Sequence, residues 1–324
     1  MPILHTIYLL LLAVTLAGVT LASLLGFLGR LWWIFDLFSH FRLQYAVLSL
    51  ICTLGFLLGG EPVGFFISFG FGLLNLALLY PLYRRKSTRP QSATTYRILS
   101  ANILGSNADY AQIAQMLDQE KPDIALIVEY DHHHDQGLKQ VVAEFPYYFL
   151  IPRQDNYGLA LLSRLPLAST EAVMLNDDQI PVLVARVEIQ GCPVTIIGSH
   201  PPPPKRKWMS SMRDRQMLAL AHLAAQQSGE VILLGDFNAT PWSYSYRDLL
   251  QQSKLLDSRI GFGVQATWPA HFPLLKVPID QILHSAGISI TSLSTGCACG
   301  SDHHPLIAEF CLQPNIFLRE KNKN

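Results

Sequence analysis

From residue 98 onward, this chain of 324 residues repeatedly ends or interrupts an apolar run with a carboxylate, an amide or an imidazole. Asn102 follows residues 98–101, Glu129 follows 124–128, His200 follows 195–199, and Asp236 and Asn238 follow 231–235. Asp280 lies inside 278–283, and Asp302 with His303 lies inside 300–305. Such side chains suit hydrolysis of a phosphate ester, which requires neutralising charge on the phosphoryl oxygens, activating a water and stabilising the leaving oxygen. Taken singly, each is better read as a turn former or a helix cap. Taken together they are harder to dismiss, because burying charge without a metal or a partner is costly.

The elements that must position these residues are short strands. Apolar runs at 96–103, 124–128, 158–162, 182–189, 194–198, 231–234, 279–283 and 306–311 read as buried-type strands, so their polar ends can converge. Residues 108–120 and 207–227 repeat apolar side chains at helical spacing, and 247–252 reads as a shorter helix. Many strands with few helices predict a mixed-sheet α/β (α+β) architecture with helices outside.

The N-terminal part is of another kind. Between residues 1 and 83 the only charged side chains are Arg30, Asp36, Arg42 and Glu61. Three uncharged stretches, about 4–28, 43–60 and 62–83, are of membrane-spanning length, and a cleaved secretory signal fits poorly without a basic start. A bundle of three transmembrane helices over 1–83 is therefore expected, then a basic and polar linker at 84–95, a catalytic domain at 96–312 and a polar tail at 313–324. Arg30 and Arg42 lie between the first two spans, and Arg84, Arg85, Lys86 and Arg89 follow the third. By the excess of bases on the inner side, both segments and the large domain face the cytoplasm, in a multi-pass protein of the bacterial inner-membrane kind. A missed or half-spanning helix would reverse the side.

The ordered segments Ser100-Ala101-Asn102, Ile127-Val128-Glu129, Gly198-Ser199-His200, Gly235-Asp236-Phe237-Asn238, Ile279-Asp280-Gln281-Ile282-Leu283 and Gly300-Ser301-Asp302-His303-His304-Pro305 resemble the endonuclease/exonuclease/phosphatase superfamily. The likeness spans 96–312. It implies a four-layer α/β/β/α sandwich of two mixed β-sheets, with one or two magnesium ions and manganese as the alternative. It also implies roles. Glu129 would be the principal metal carboxylate with Asn102 beside it, and Asp302 would bind metal or fix an imidazole. Asp236 would orient or deprotonate the attacking water, and Asn238 would hold that water or a phosphoryl oxygen. His303 would contact the phosphate or share proton transfer, Asp280 would orient a histidine, and His200 would stand beside the phosphate. Gln281 and His304 are the local departures from the family pattern.

The expected partners are a phosphate-ester substrate, lipid-linked phosphates among the candidates, and the lipid bilayer. A nuclease of the same superfamily is the alternative, which the net charge of +0 disfavours. A third reading is a membrane scaffold that binds a phosphorylated ligand without turnover, which the complete residue set opposes. Other features are read plainly. Asp131-His132-His133-His134-Asp135 is expected to be a solvated loop. Cys297 and Cys299 are preferred as strand cysteines over a zinc site with His303 and His304. Pro201 to Pro204 stiffen a loop beside His200, and Lys205, Arg206, Lys207, Arg213 and Arg215 are either a solvated helix start or contacts to anionic groups. Trp208, Trp242 and Trp268 are read as locally packed rather than as a stacking rim.

Overall fold

The structure, a computed structural model, describes residues 2–84 and 94–313. Most of the expected linker at 84–95, with Arg85, Lys86 and Arg89, and of the tail at 313–324 lies outside the described residues.

The uncharged N-terminal runs form helices α1 (Pro2–Leu25), α3 (Arg42–Gly59) and α4 (Pro62–Tyr83), with the short α2 (Trp33–Leu37) between the first two. Three segments, Ile3–Leu28, Trp33–Gly59 and Pro62–Tyr83, are long and apolar enough to cross a membrane, the second starting earlier than the sequence suggests. Leu4, Leu11, Val14, Leu58 and Phe66 point outward and are exposed, while polar groups turn inward to satisfy one another. Asn75 Nδ2 donates to Ser23 Oγ (3.0 Å), Arg42 Nη1 to the Ser23 carbonyl (2.9 Å) and Tyr8 to the Gly55 carbonyl (2.8 Å).

The remaining described residues include twelve strands: β1 (Tyr96–Asn102), β2 (Ile124–Val128), β3 (Tyr147–Ile151), β4 (Leu159–Ser163), β5 (Leu167–Met174), β6 (Pro181–Ile189), β7 (Cys192–Ser199), β8 (Glu230–Asp236), β9 (Leu256–Asp257), β10 (Asp280–His284), β11 (Ile288–Thr295) and β12 (Leu306–Leu312). They make two six-stranded sheets, ordered β11-β12-β1-β2-β4-β3 and β5-β6-β7-β8-β10-β9. β1 with β2 and β7 with β8 are parallel pairs, and the other neighbours run antiparallel. Leu126, Leu161, Leu183, Val194, Ile196 and Leu234 meet in the core between the sheets. The outer face of the first sheet is covered by α5 (Tyr110–Glu120), α6 (His132–Gly137) and α7 (Lys139–Ala143), through Ile113, Met116 and Val142. That of the second is covered by α8 (Lys207–Ala225) and α9 (Tyr244–Ser253), through Met217, Leu220 and Leu249. This is the four-layer sandwich of mixed sheets expected from the resemblance.

Two local expectations fail. Asp131 to Asp135 is no solvated loop: Asp131 caps α6 through the His133 and His134 amides (2.9 and 2.8 Å), and His134 is buried against the Asn107 carbonyl (3.0 Å). Cys297 and Cys299 lie between β11 and β12 rather than in a strand, and Cys299 packs in the core. Neither belongs to a metal-ligand cluster among the described residues.

The helical and sandwich parts are joined at one end of the bundle. Asp36 of α2 accepts from Arg213 Nη2 (2.9 Å) and Ser243 Oγ (2.8 Å), with all three side chains buried. Leu78 and Leu82 of α4 accept from the Trp242 indole (3.1 Å) and from the Gly261 and Gly263 amides (2.8 and 2.9 Å). Gln44 of α3 donates to the Leu274 and Lys276 carbonyls (3.2 and 2.9 Å).

Candidate active site

Strand polarity gathers the polar residues at one edge of the sandwich. β1 ends at Asn102, beside the end of β2, so Glu129 follows immediately at the same edge. In the second sheet β7 leads into His200 and β8 ends at Asp236; β10 runs the other way, placing its first residue, Asp280, opposite Asp236. Asn102 bridges the sheets, donating from Nδ2 to Glu129 Oε1 (2.9 Å) and Asp236 Oδ2 (3.1 Å).

Each group is held by its own backbone or a neighbour. Glu129 Oε2 accepts from the Gly105 amide (2.8 Å), and Asn102 Oδ1 from the Leu104 amide (3.0 Å). Asp236 Oδ1 accepts from the Asn238 amide (2.9 Å), and Asn238 Nδ2 lies 3.2 Å from His200 Nε2 and 3.1 Å from the Pro201 carbonyl. His200 Nδ1 faces the Asn156 carbonyl at 2.9 Å, and its Nε2 is 3.5 Å from Asp236 Oδ2. His303 Nδ1 pairs with Asp280 Oδ2 (2.9 Å), and Nε2 stands 3.7 Å from Asp236 Oδ2. Ser301 Oγ donates to the Asn102 carbonyl (2.7 Å) and accepts from the His303 amide (3.0 Å), tying the β12 approach to β1.

Two of these residues sit in left-handed backbone, Glu129 at φ 64 and Asn238 at φ 50, a conformation unfavourable for residues with a Cβ. Backbone strain of this kind persists only where surrounding structure enforces it, and it concentrates at functional sites. Gly235 solves a related problem. Its φ is +141, and an added Cβ would lie 1.9 Å from the Ser199 carbonyl oxygen, so only glycine lets β8 approach β7 just before Asp236.

Burial alone would discharge the His303 imidazolium, but the Asp280 and Asp236 carboxylates beside it prevail and raise its pKa to about 10. Burial likewise works against an Asp236 anion; the His303 and His200 rings outweigh it and hold the carboxyl below its ordinary range. The site therefore presents a carboxylate and an imidazolium side by side.

Glu129, His200, Asp236, Asn238, Asp302 and His303 all line one cavity of about 570 Å³, with Asn102 and Asp280 bonded directly behind them. Asp236, Asp280 and His303 bring their ligand-type atoms within 4.8 Å of one another. The histidine is already committed to Asp280 through Nδ1, which suits a proton-handling pair better than a metal cage. The hard oxygens of Glu129, Asn102 and Asp302 match magnesium or manganese by donor type.

The structure adds residues that the sequence left in the background. Trp268 donates its indole N–H to Asp302 Oδ2 (2.9 Å), fixing that carboxylate at the cavity wall. Gln281 holds the turn after Asn238 by donating to the Ala239 carbonyl (2.7 Å), and it accepts from the fully buried Arg259. Asn156 and Tyr157 complete the wall beside His200. Gln281 and Trp268 stand out in the sequence without these roles, and no sequence pattern marks Asn156, Tyr157 or Arg259, because their partners lie far away along the chain. Arg213 and Arg215, weighed above for anionic contacts, are engaged by Asp36 and Asp178 instead.

Comparison with known proteins places this geometry. The model of the Endonuclease/Exonuclease/phosphatase family matches residues 99–303. No curated protein matches the chain in sequence. Among solved structures it is similar to D. rerio TDP2 complexed with a single strand DNA product, at TM-score 0.56 and 19% identity, covering 67% of this chain and 99% of that one. It is similar also to an endonuclease/exonuclease/phosphatase from Beutenbergia cavernae DSM 12333, at TM-score 0.54 and 16% identity, covering 68% and 72%. A third is truncated Caenorhabditis elegans TDP2, at TM-score 0.53 and 16% identity, covering 67% and 98%. These likenesses are of fold. The family match runs from β1 to His303 and covers more than half of the chain, so the protein belongs to the Endonuclease/Exonuclease/phosphatase family, metal-dependent enzymes that hydrolyse phosphate ester bonds.

Proposed function

We propose that the protein is a membrane-anchored, magnesium-dependent phosphodiesterase or phosphatase that acts on phosphate esters at the bilayer, lipid-linked phosphates among them. The observation that carries the reading is the bridge made by Asn102 between Glu129 and Asp236, which joins a hard-cation carboxylate to a buried proton acceptor across the two sheets.

In this reading Glu129, Asn102 and Asp302 hold magnesium, with manganese as the substitute. Bound there, the ion supplies neutralisation of charge on the phosphoryl oxygens. Asp236, kept anionic by the neighbouring imidazoles, accepts a proton from the attacking water. Asn238 Nδ2 offers a donor to that water or to a phosphoryl oxygen, in the company of His200. His303, held by Asp280, donates to a phosphoryl oxygen as negative charge grows there. The water oxygen bonds to phosphorus as its proton passes to Asp236, the bond from phosphorus to the leaving oxygen breaks, and the departing alkoxide takes a proton from solvent to leave as the alcohol.

The 1–83 bundle acts as the anchor, with 96–312 as the catalytic domain. The C-terminal ends of α1 and α4 and the N-terminal end of α3 all abut the sandwich, which supports placing it on the side of Arg30 and Arg84 and hence in the cytoplasm. A nuclease reading is weaker, because the net charge is +0 and Arg213 and Arg215 are already paired.

The test is a substrate panel on the full chain in detergent, with magnesium and with chelator: a soluble phosphodiester, plasmid DNA, and anionic phospholipid in vesicles. Metal-dependent turnover of the soluble ester and of the phospholipid supports the reading. Turnover confined to plasmid would favour the nuclease, and binding without turnover the scaffold.

A further inference from the structure

The catalytic cavity is not closed by the sandwich alone. Leu37, His40 and Phe41, from α2 and the turn that leads into α3, line the same cavity as Glu129, Asp236 and His303. They face Pro203, Pro204 and Met209 of the loop and helix start that follow His200. This part of the wall is mainly apolar, and a phosphate group alone would leave it unfilled: at about 570 Å³ the cavity lies in the ~300–1,000 Å³ range of pockets that enclose a whole organic ligand.

The wall is fixed rather than incidental. Asp36, one residue before Leu37, is buried in bonds to Arg213 and Ser243, and Arg213 Nη1 also donates to the Asn238 carbonyl (3.3 Å). The segment from the bundle is thus registered to the turn that bears Asn238. His40 is 7% exposed, and its Nε2 makes no hydrogen bond although it borders the cavity. A buried polar nitrogen without a partner is costly, and a bound ligand's oxygen at that wall would satisfy it.

The rim carries a second, independent sign. Trp268 and Val277 both line the cavity, and the segment between them exposes Phe272, Leu274 and Leu275, at 63%, 87% and 53%. Gln44, in the first turn of α3, holds this apolar segment through the Leu274 and Lys276 carbonyls. Large apolar side chains exposed beside a spanning helix have an evident occupant, the interfacial layer of the bilayer in which that helix sits.

We propose that the cavity half formed by Leu37, His40 and Phe41 is a subsite for the apolar portion of an amphiphilic phosphate ester, drawn from the membrane past the Phe272–Leu275 rim. Its phosphate lies at Asn238 and His303, with Asp236 behind the attacking water, and its chain runs along Leu37, Phe41 and Met209. This rests on the reading of the site as a phosphodiesterase and of α1, α3 and α4 as membrane spans. The helical bundle is then part of the substrate site as well as a tether.

The experiment uses the full chain in detergent with magnesium and p-nitrophenyl phosphodiesters whose second ester group is methyl, octyl or hexadecyl. Wild type is expected to favour octyl and hexadecyl over methyl in kcat/KM by roughly tenfold or more, since each buried methylene contributes favourably. The L37A/F41A variant loses that preference, its kcat/KM falling far more on octyl and hexadecyl than on methyl. A change on the opposite wall, Met209→Trp, fills the subsite from the catalytic side, leaves the bundle untouched and should likewise slow the long-chain esters far more than the methyl ester. A wild type indifferent to chain length, or a preference that survives in a folded L37A/F41A and in Met209→Trp alike, would overturn the subsite while leaving the phosphodiesterase reading intact. Failure to turn over any of the three esters, methyl included, would overturn that reading and the subsite with it.

Discussion

Arg213 Nη2 lies 2.9 Å from Asp36 Oδ2, and both side chains are sealed from solvent where the helical bundle meets the sandwich. Neutralising Asp36 leaves the buried Arg213 guanidinium with Asp214 (2.9 Å) as its remaining carboxylate and weakens the Ser243 bond, at a cost of about 1–3 kcal/mol. Asp36→Asn should therefore lower the Tm of the full chain. Arg213→Met, which strips a partner from Asp36, Asp214 and the Asn238 carbonyl together, should lower it further. Thermal unfolding in detergent reads both, and an unchanged Tm for Asp36→Asn would show that the pair does not hold the two parts together.

Gly235 offers a sharper steric test. A methyl group there would meet the Ser199 carbonyl oxygen at 1.9 Å, on backbone whose φ of +141 already disfavours a side chain. Gly235→Ala should cost about 3 kcal/mol or more, because the obstructing atom is backbone and cannot rotate away. The readout is the unfolding midpoint in denaturant, and a shift near zero would mean that β7 and β8 have slack at this point.

Trp268 holds Asp302 Oδ2 through its indole N–H. If Asp302 ligates magnesium, Trp268→Phe keeps the ring and frees the carboxylate, so the magnesium concentration for half-maximal activity should rise by roughly tenfold. A magnesium titration identical to wild type would separate Asp302 from the metal.

The His303–Asp280 pair makes stability depend on pH. The folded pKa of His303 is raised to about 10 from its ordinary 6.5, so its contribution is fully present below about 6.5 and is lost as pH rises through about 10. In chelator, the stability gap between wild type and His303→Gln should narrow steadily across that interval. Denaturant midpoints at several pH values would show it, and a gap that widened with pH would reverse the assigned charge.

Much of this was legible before the structure. Strands such as 124–128 are apolar on both faces, and α8 carries Met217, Leu220, Ala221 and Ala224 at helical spacing, so both declare themselves in sequence. The edge strand β5 does not: its side chains are mostly exposed and its composition is that of a loop. The Asp131 to Asp135 tract misleads because a run of histidines is polar by type, whereas the Asp131 cap and the burial of His134 are tertiary facts. The resemblance named Asn102, Glu129, Asp236 and His303 from ordered motifs. Trp268, Arg259 and the Leu37–Phe41 wall belong to no motif, since their roles come from what the fold brings against them.

The central claim, that Glu129 and Asp236 work with a hard cation in one cleft, is tested most directly by magnesium-dependent hydrolysis of bis(p-nitrophenyl) phosphate by the full chain. Turnover should rise with magnesium and vanish in chelator. Glu129→Gln and Asp236→Asn should each lower kcat by about a hundredfold or more without loss of fold, as removal of a proton-transfer or ligand carboxylate does. Turnover that persists in chelator, or that survives both substitutions, would contradict the account.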